Sequence, residues 1–124
     1  MSEAAAVVSV VDDDPSILRA LKRLIRTEGL SVETFESAED FLRSPKRDRT
    51  ACLVLDVRLR GMSGFALLEG LEGGGLRIPT VLITAHDDAP TRERAQRAGA
   101  VEYLRKPFDE QLLITAVHRA MAPR

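Results

Sequence analysis

A chain of 124 residues has room for one domain with a real hydrophobic core and too little for two of ordinary size. Its 44% hydrophobic and 30% charged residues exclude a disordered segment, and a net charge of −1 supplies no bulk field to draw nucleic acid or anionic lipid. No apolar run approaches a membrane span, the opening MSEAAAVV lacks leader character, and the lone Cys52 excludes an internal disulfide or thiolate metal cage, so a cytoplasmic protein is expected.

The first predicted element is a strand, Val7–Val11, apolar on both faces as in a parallel sheet covered on both sides. Three acids follow it at once: Asp12, Asp13 and Asp14. A helix comes next, with Asp14 able to cap it, Pro15 suited to its first turn and Gly29 able to end it. Ile17, Leu18, Leu21, Leu24 and Ile25 fall on one face of that helix, while Arg19, Lys22, Arg23 and Arg26 point elsewhere. A weaker strand spans Leu30–Phe35, and Ser37-Ala38-Glu39-Asp40 reads as a capping box opening a second helix that buries Phe41 and Leu42.

Cys52–Asp56 is the third strand, and Ser63 can cap a third helix whose apolar residues are Phe65, Leu67, Leu68 and Leu71. Gly73-Gly74-Gly75 follows a helix rather than a strand and has no Lys-Ser/Thr after it, so it reads as a connection and not a phosphate loop. Thr80–Thr84 is the fourth strand. The fourth helix, Pro90 through Ala98 and ended by Gly99, offers only alanines as apolar contacts, which predicts the least firmly packed element. Val101–Arg105 is the fifth strand, and Asp109 can cap a last helix that buries Leu112, Leu113, Ala116, Val117 and Ala120. Five alternations of strand and helix imply right-handed crossovers and an open doubly wound α/β sheet. Residues 1–124 read as a single domain whose last helix runs almost to Arg124, leaving no output domain in this chain.

In such sheets ligands sit outside the carboxyl ends of the strands, near the point where strand order reverses. Those ends carry Asp12-Asp13, Asp56, Thr84-Ala85 and Lys106-Pro107. Each alone is unremarkable: the acid triplet reads as a solvated turn, and Asp14 as no more than a cap. Their conjunction is different. Two carboxylates about 5 Å apart repel by roughly 3 kcal/mol at an effective dielectric near 20, and one lysine answers only part of the charge. A hard divalent cation answers the rest, and magnesium takes such oxygen ligands together with phosphate oxygens. The same crevice suits phosphoryl chemistry, with Lys106 and Thr84 meeting the phosphoryl oxygens and Asp56 an in-line nucleophile that becomes an aspartyl phosphate.

These residues resemble the response-regulator receiver domain of two-component signalling, a CheY-like superfamily, in its FixJ-like branch. The landmarks are VVDDDP at 10–15, LVLDVRLRGMSG at 53–64, PTVLITAHDD at 79–88 and AGAVEYLRKPF at 98–108. The resemblance implies five parallel strands in order 2-1-3-4-5 with five helices. It implies Asp56 as phosphoacceptor and a magnesium (or manganese) ion on Asp13 directly, on Asp12 largely through water, on Asp56 and on the backbone carbonyl of Arg58. Thr84, Ala85 and Lys106 would hold the phosphoryl group. Thr84 and Tyr103 would form the switch, and the Lys106–Pro107 bond would be cis.

The implied donor is a sensor histidine kinase or histidine phosphotransfer protein, meeting the outer face of the first helix at Arg19, Ala20 and Arg23. The implied readout is a surface of helix four, strand five and helix five, offered to a downstream protein or output domain and compatible with a phosphorylation-dependent homodimer. No direct nucleic-acid binding, membrane contact or enzyme activity is implied beyond magnesium-dependent self-phosphorylation and slow self-dephosphorylation. Arg58 and His86, two residues past Asp56 and Thr84, stand where side chains tune that self-dephosphorylation.

One departure is Arg60, where many relatives have proline; it predicts a more mobile loop after the acceptor. A phosphohydrolase similar to the haloacid-dehalogenase family would want a second acid where Arg58 stands, and a cap domain. A pseudo-receiver serving only as an interaction module would not need the full set of charged residues. Cys52 reads as a small core residue, His118 as a helix-surface residue and His86 as no metal ligand.

Overall fold

The computed structural model describes residues 6–122. The segment MSEAA, on which the expectation about a leader partly rests, and the final Pro123 and Arg124 lie outside the described residues. Within them the chain alternates as expected: β1 (Val7–Val11), α1 (Pro15–Arg26), β2 (Ser31–Phe35), α2 (Ala38–Arg43), a 3-10 turn (Arg47–Arg49), β3 (Thr50–Asp56), α3 (Gly64–Gly73), β4 (Thr80–Thr84), α4 (Ala89–Arg97), β5 (Glu102–Arg105) and α5 (Glu110–Met121). The strands form one parallel sheet in the order β2-β1-β3-β4-β5. Strand bounds differ from the sequence reading by one or two residues: β3 begins at Thr50, β2 at Ser31 and β5 at Glu102.

The period-2 alternation of the central strands divides two cores. Val8, Val10, Cys52, Val54, Val81 and Ile83 face α1 and α5, against Leu18, Leu21, Ile25, Leu113 and Val117. Val11, Leu53, Leu55 and Leu82 face the other way, against Phe41 of α2, Phe65 and Leu67 of α3 and Ala95 of α4. Phe41 is fully buried and meets Phe35 edge-on at 5.5 Å, a placement worth about 2–3 kcal/mol in removed apolar surface.

Helix ends follow the local chemistry. Asp14 accepts from the Ser16 N–H at 2.9 Å, Ser63 from Ala66 at 3.1 Å and Asp109 from Gln111 at 2.7 Å. Asp88 caps α4, starting it at Ala89. At α2 only half of the expected box forms: the Ser37 hydroxyl accepts from the Asp40 N–H at 3.0 Å, but the Asp40 carboxylate turns to Arg43 at 2.6 Å. An aspartate is one methylene short of the glutamate that normally reaches back, and a cation one turn on captures it. The glycine run ends α3 as a Schellman stop, with Leu76 N–H on the Leu71 carbonyl, Gly75 N–H on the Glu72 carbonyl, and Gly75 at φ +85°.

One core assignment is corrected. Leu112 is 57% exposed, and Ile114 is buried in its stead. Both stand about 100° from the stripe of Leu113, Ala116, Val117 and Ala120, on opposite margins, and the sheet covers only the Ile114 margin. The fourth helix is as thinly packed as predicted, burying Ala95 alone. Charged contacts tie it to α3 instead: the Arg94 guanidinium lies 4.5 Å over the Phe65 ring and 3.1 Å from Glu69.

Candidate functional site

β1, β3, β4 and β5 bring their carboxyl ends to one edge of the sheet, where β1 lies between β2 and β3 and strand order reverses. Asp12 leaves β1 with its N–H on the Phe35 carbonyl and no exposed surface. Its Oδ1 accepts the Asp14 N–H at 2.9 Å, so the acid triplet turns on itself and Asp14 is spent on capping α1. Asp56, 6% exposed at the tip of β3, repeats the device: its Oδ1 accepts the Arg58 N–H at 3.1 Å. Arg58 thus reaches the acid through its main-chain N–H.

The ammonium of Lys106 completes the cluster, 2.6 Å from Asp12 Oδ2 and 3.1 Å from Asp56 Oδ2. The Lys106–Pro107 bond is cis, and the Lys106 N–H is held by the Thr84 carbonyl at 2.7 Å. One oxygen each of Asp12, Asp13 and Asp56 lies within 4.8 Å of the others. Burial, then the charge of Asp12, pushes the Asp56 carboxyl above its ordinary value against the pull of Arg58 N–H and Lys106. Burial works against the charged Lys106, but its bonds and proximity to Asp12 and Asp56 outweigh that and raise its pKa. Three carboxylates around one ammonium leave excess negative charge on oxygen donors alone, which fits a hard divalent cation such as magnesium.

The remaining predicted residues stand around this centre with different engagements. Thr84 is fully buried, and its Oγ1 accepts the His86 N–H at 3.0 Å while its hydroxyl points back to the His86 carbonyl at 3.4 Å. Its hydroxyl is therefore held by its own loop. Arg58, Ala85, His86 and Lys106 line one open cleft of about 400 Å³, which Lys106 joins to the cluster. Tyr103 packs its ring towards α4 and donates its hydroxyl to Asp87 Oδ1 at 3.2 Å. Burial and the Asp87 bond push its phenol up to about 12. His86 and His118 are exposed, with His118 on Glu28 at 3.0 Å, and Cys52 is buried in the core as expected.

Two tethers of the loop after Asp56 escaped the sequence reading. The Arg60 N–H donates to Asp13 Oδ2 at 3.2 Å, and the Met62 N–H donates to Glu39 Oε2 at 3.0 Å. The loop expected to be mobile is pinned at both places. Gly64 then brings α3 against the Asp56 main chain so closely that a Cβ there would lie 3.1 Å from Val57 Cα. Glu39 stands in the first turn of α2, where an acid is explained by the helix alone, so only tertiary packing reveals this second role. A separate recess of about 440 Å³, between α3 and the end of α4, contains none of the site residues.

A profile of the response regulator receiver domain matches residues 8–118. Response regulator protein TodT of Pseudomonas putida is 43% identical over 121 residues, covering 98% of this chain and 53% of TodT. Transcriptional regulatory protein FixJ of Rhizobium meliloti is 37% identical over 91% of this chain and 55% of its own length. The solved structure of response regulator StyR superposes with a TM-score of 0.88 at 47% identity, over 95% of this chain and 60% of that one. The chain spans little more than half the length of these relatives.

Proposed function

Because the chain belongs to the response regulator receiver domain family, near its FixJ branch, we propose that Asp56 is its phosphoacceptor. Phosphorylation on an aspartate is general in this family, whose members serve two-component signalling. The observation that carries the assignment is the Lys106 ammonium 3.1 Å from Asp56 and 2.6 Å from Asp12, in a cluster where Asp56 ends its strand.

The donor is a phosphohistidine of a sensor histidine kinase or phosphotransfer protein. An Asp56 oxygen attacks phosphorus, the P–N bond breaks and a P–O bond forms. The electron pair stays with the imidazole, whose second nitrogen carries the proton that lets it leave neutral. Asp12, Asp13 and Asp56, with the Arg58 main-chain carbonyl, would hold a magnesium (or manganese) ion, Asp13 directly and Asp12 largely through water. Bound there, it supplies positive charge to the carboxylates and the phosphoryl oxygens. Lys106 holds one phosphoryl oxygen, the Ala85 main chain another, and Thr84 donates to the group once its hydroxyl leaves the His86 main chain.

Release of that loop bond frees Tyr103 to turn inward from Asp87, reshaping the α4-β5-α5 face and biasing a two-state equilibrium towards binding a downstream protein, an output domain or a second copy. The exposed outer face of α1, at Arg19, Ala20 and Arg23, receives the donor. Beyond that transfer, the domain's own chemistry is self-phosphorylation from small donors and slow self-dephosphorylation. Arg58 and His86, at the cleft mouth, tune the second; if Arg58→Ala and His86→Ala both leave the lifetime of the phosphorylated form unchanged, that role is refuted.

The test is incubation with magnesium and a small acyl phosphate. Intact mass should rise by one phosphoryl group in the wild type and not in Asp56→Asn. An equal gain in the variant overturns the assignment.

A further inference from the structure

Resting on the cation reading above, we propose that Arg60 is a built-in competitor for the divalent cation at Asp13, setting the site's affinity and making it depend on ionic strength. Asp13 Oδ2 already has two partners from this one residue: the Arg60 N–H at 3.2 Å and the guanidinium Nε at 3.7 Å. Asp12 and Asp56 each give one oxygen to the Lys106 ammonium and the other to a main-chain N–H. Asp13 is the acid of the three that faces solvent, at 28% side-chain exposure, and the charge poised over its outer side belongs to Arg60.

The two contacts act differently. The N–H fixes the orientation of the carboxylate and is compatible with a cation on the remaining oxygen. The guanidinium is a full positive charge beside the place a second positive charge must take, so occupancy requires it to swing away or remain under repulsion. The Arg60 side chain is 89% exposed, which leaves room for it to leave and lets salt screen the pair. A proline at this position would provide neither contact, so the departure seen in the sequence adds both.

The experiment measures Mn²⁺ binding to the metal-free whole chain from the electron paramagnetic resonance of free Mn²⁺, with Mg²⁺ by competition. Arg60→Gln keeps the N–H and loses the charge; Arg60→Lys keeps both. At low ionic strength Arg60→Gln should bind about two- to fivefold more tightly than wild type, the span of an exposed ion pair, with Arg60→Lys close to wild type. The gain should shrink towards none at about half-molar salt, where screening acts over a few ångströms. Equal or weaker binding by Arg60→Gln, or the same gain in Arg60→Lys, or a gain untouched by salt, overturns this inference alone. Absence of binding in the wild type overturns it together with the cation reading beneath it.

Discussion

Replacing Asp56 with asparagine should stabilise the metal-free fold at neutral pH. Two carboxylates with oxygens no more than 4.8 Å away each repel the ionised Asp56 by about 3.5 kcal/mol at an effective dielectric near 20. Lys106, at 3.1 Å, returns about 5 kcal/mol of attraction on the same scale. The balance stands against the charge by about 2 kcal/mol before desolvation, and Asp56 is only 6% exposed. Asparagine keeps the shape and an acceptor for the Arg58 N–H or Lys106. Urea unfolding in the presence of a chelator should therefore show Asp56→Asn more stable by about 1–3 kcal/mol at pH 7. The pH dependence has a definite sign. A carboxyl raised by folding favours the fold below its unfolded value, near 4, and loses that contribution as pH climbs through the higher folded value. The variant's advantage should be absent in acid and grow across that window. Added magnesium should stabilise the wild type far more than the variant. A variant no more stable than the wild type at pH 7 without metal would refute the electrostatic reasoning.

Three other outcomes are expected. Gly64→Ala forces a methyl group against the Asp56 and Val57 main chain and should cost about 2–4 kcal/mol in urea unfolding; a loss below about 0.5 kcal/mol contradicts the close approach. Tyr103, the sole tyrosine, should ionise up to about 12 in an absorbance titration, and Asp87→Asn should bring it part of the way down, burial supplying the rest; ionisation near 10 in the wild type would count against the Asp87 bond. Its stabilising contribution is lost as pH rises through that interval. Cys52, the only cysteine, is pushed up to about 12 by burial and should resist alkylation in the folded protein, then react in step with unfolding; rapid labelling of the native chain would contradict its burial.

The order of the sheet and the meeting of Asp12, Asp13, Asp56 and Lys106 were legible because strand ends in a parallel sheet converge by topology, whatever lies between them. Asp14 as a cap and α4 as a thinly packed helix were legible from composition. What escaped depends on geometry finer than spacing. Leu112 and Ile114 sit symmetrically about the apolar stripe of α5, and nothing local tells which margin the sheet covers. The half-formed box at Ser37 turns on a single methylene. Arg60 was read for the proline it lacks, whereas its hold on the loop comes from the N–H it possesses, a group common to almost every residue type and so invisible as a signal. Glu39 and Asp87 make long-range bonds that no periodicity encodes.

The fastenings of α4 have a consequence for how the molecule meets its surroundings. Arg94 on Glu69 and Phe65, and Arg92 on the same Asp87 that holds Tyr103, stand in for the aliphatic packing that α1 and α5 possess. Dissolved ions compete with clasps of that kind and leave a hydrocarbon seal untouched. Helix α4 thus answers differently to brine from α1 and α5, loosening while they stay shut, and it is the helix whose Asp87–Arg92 clasp also holds the tyrosine.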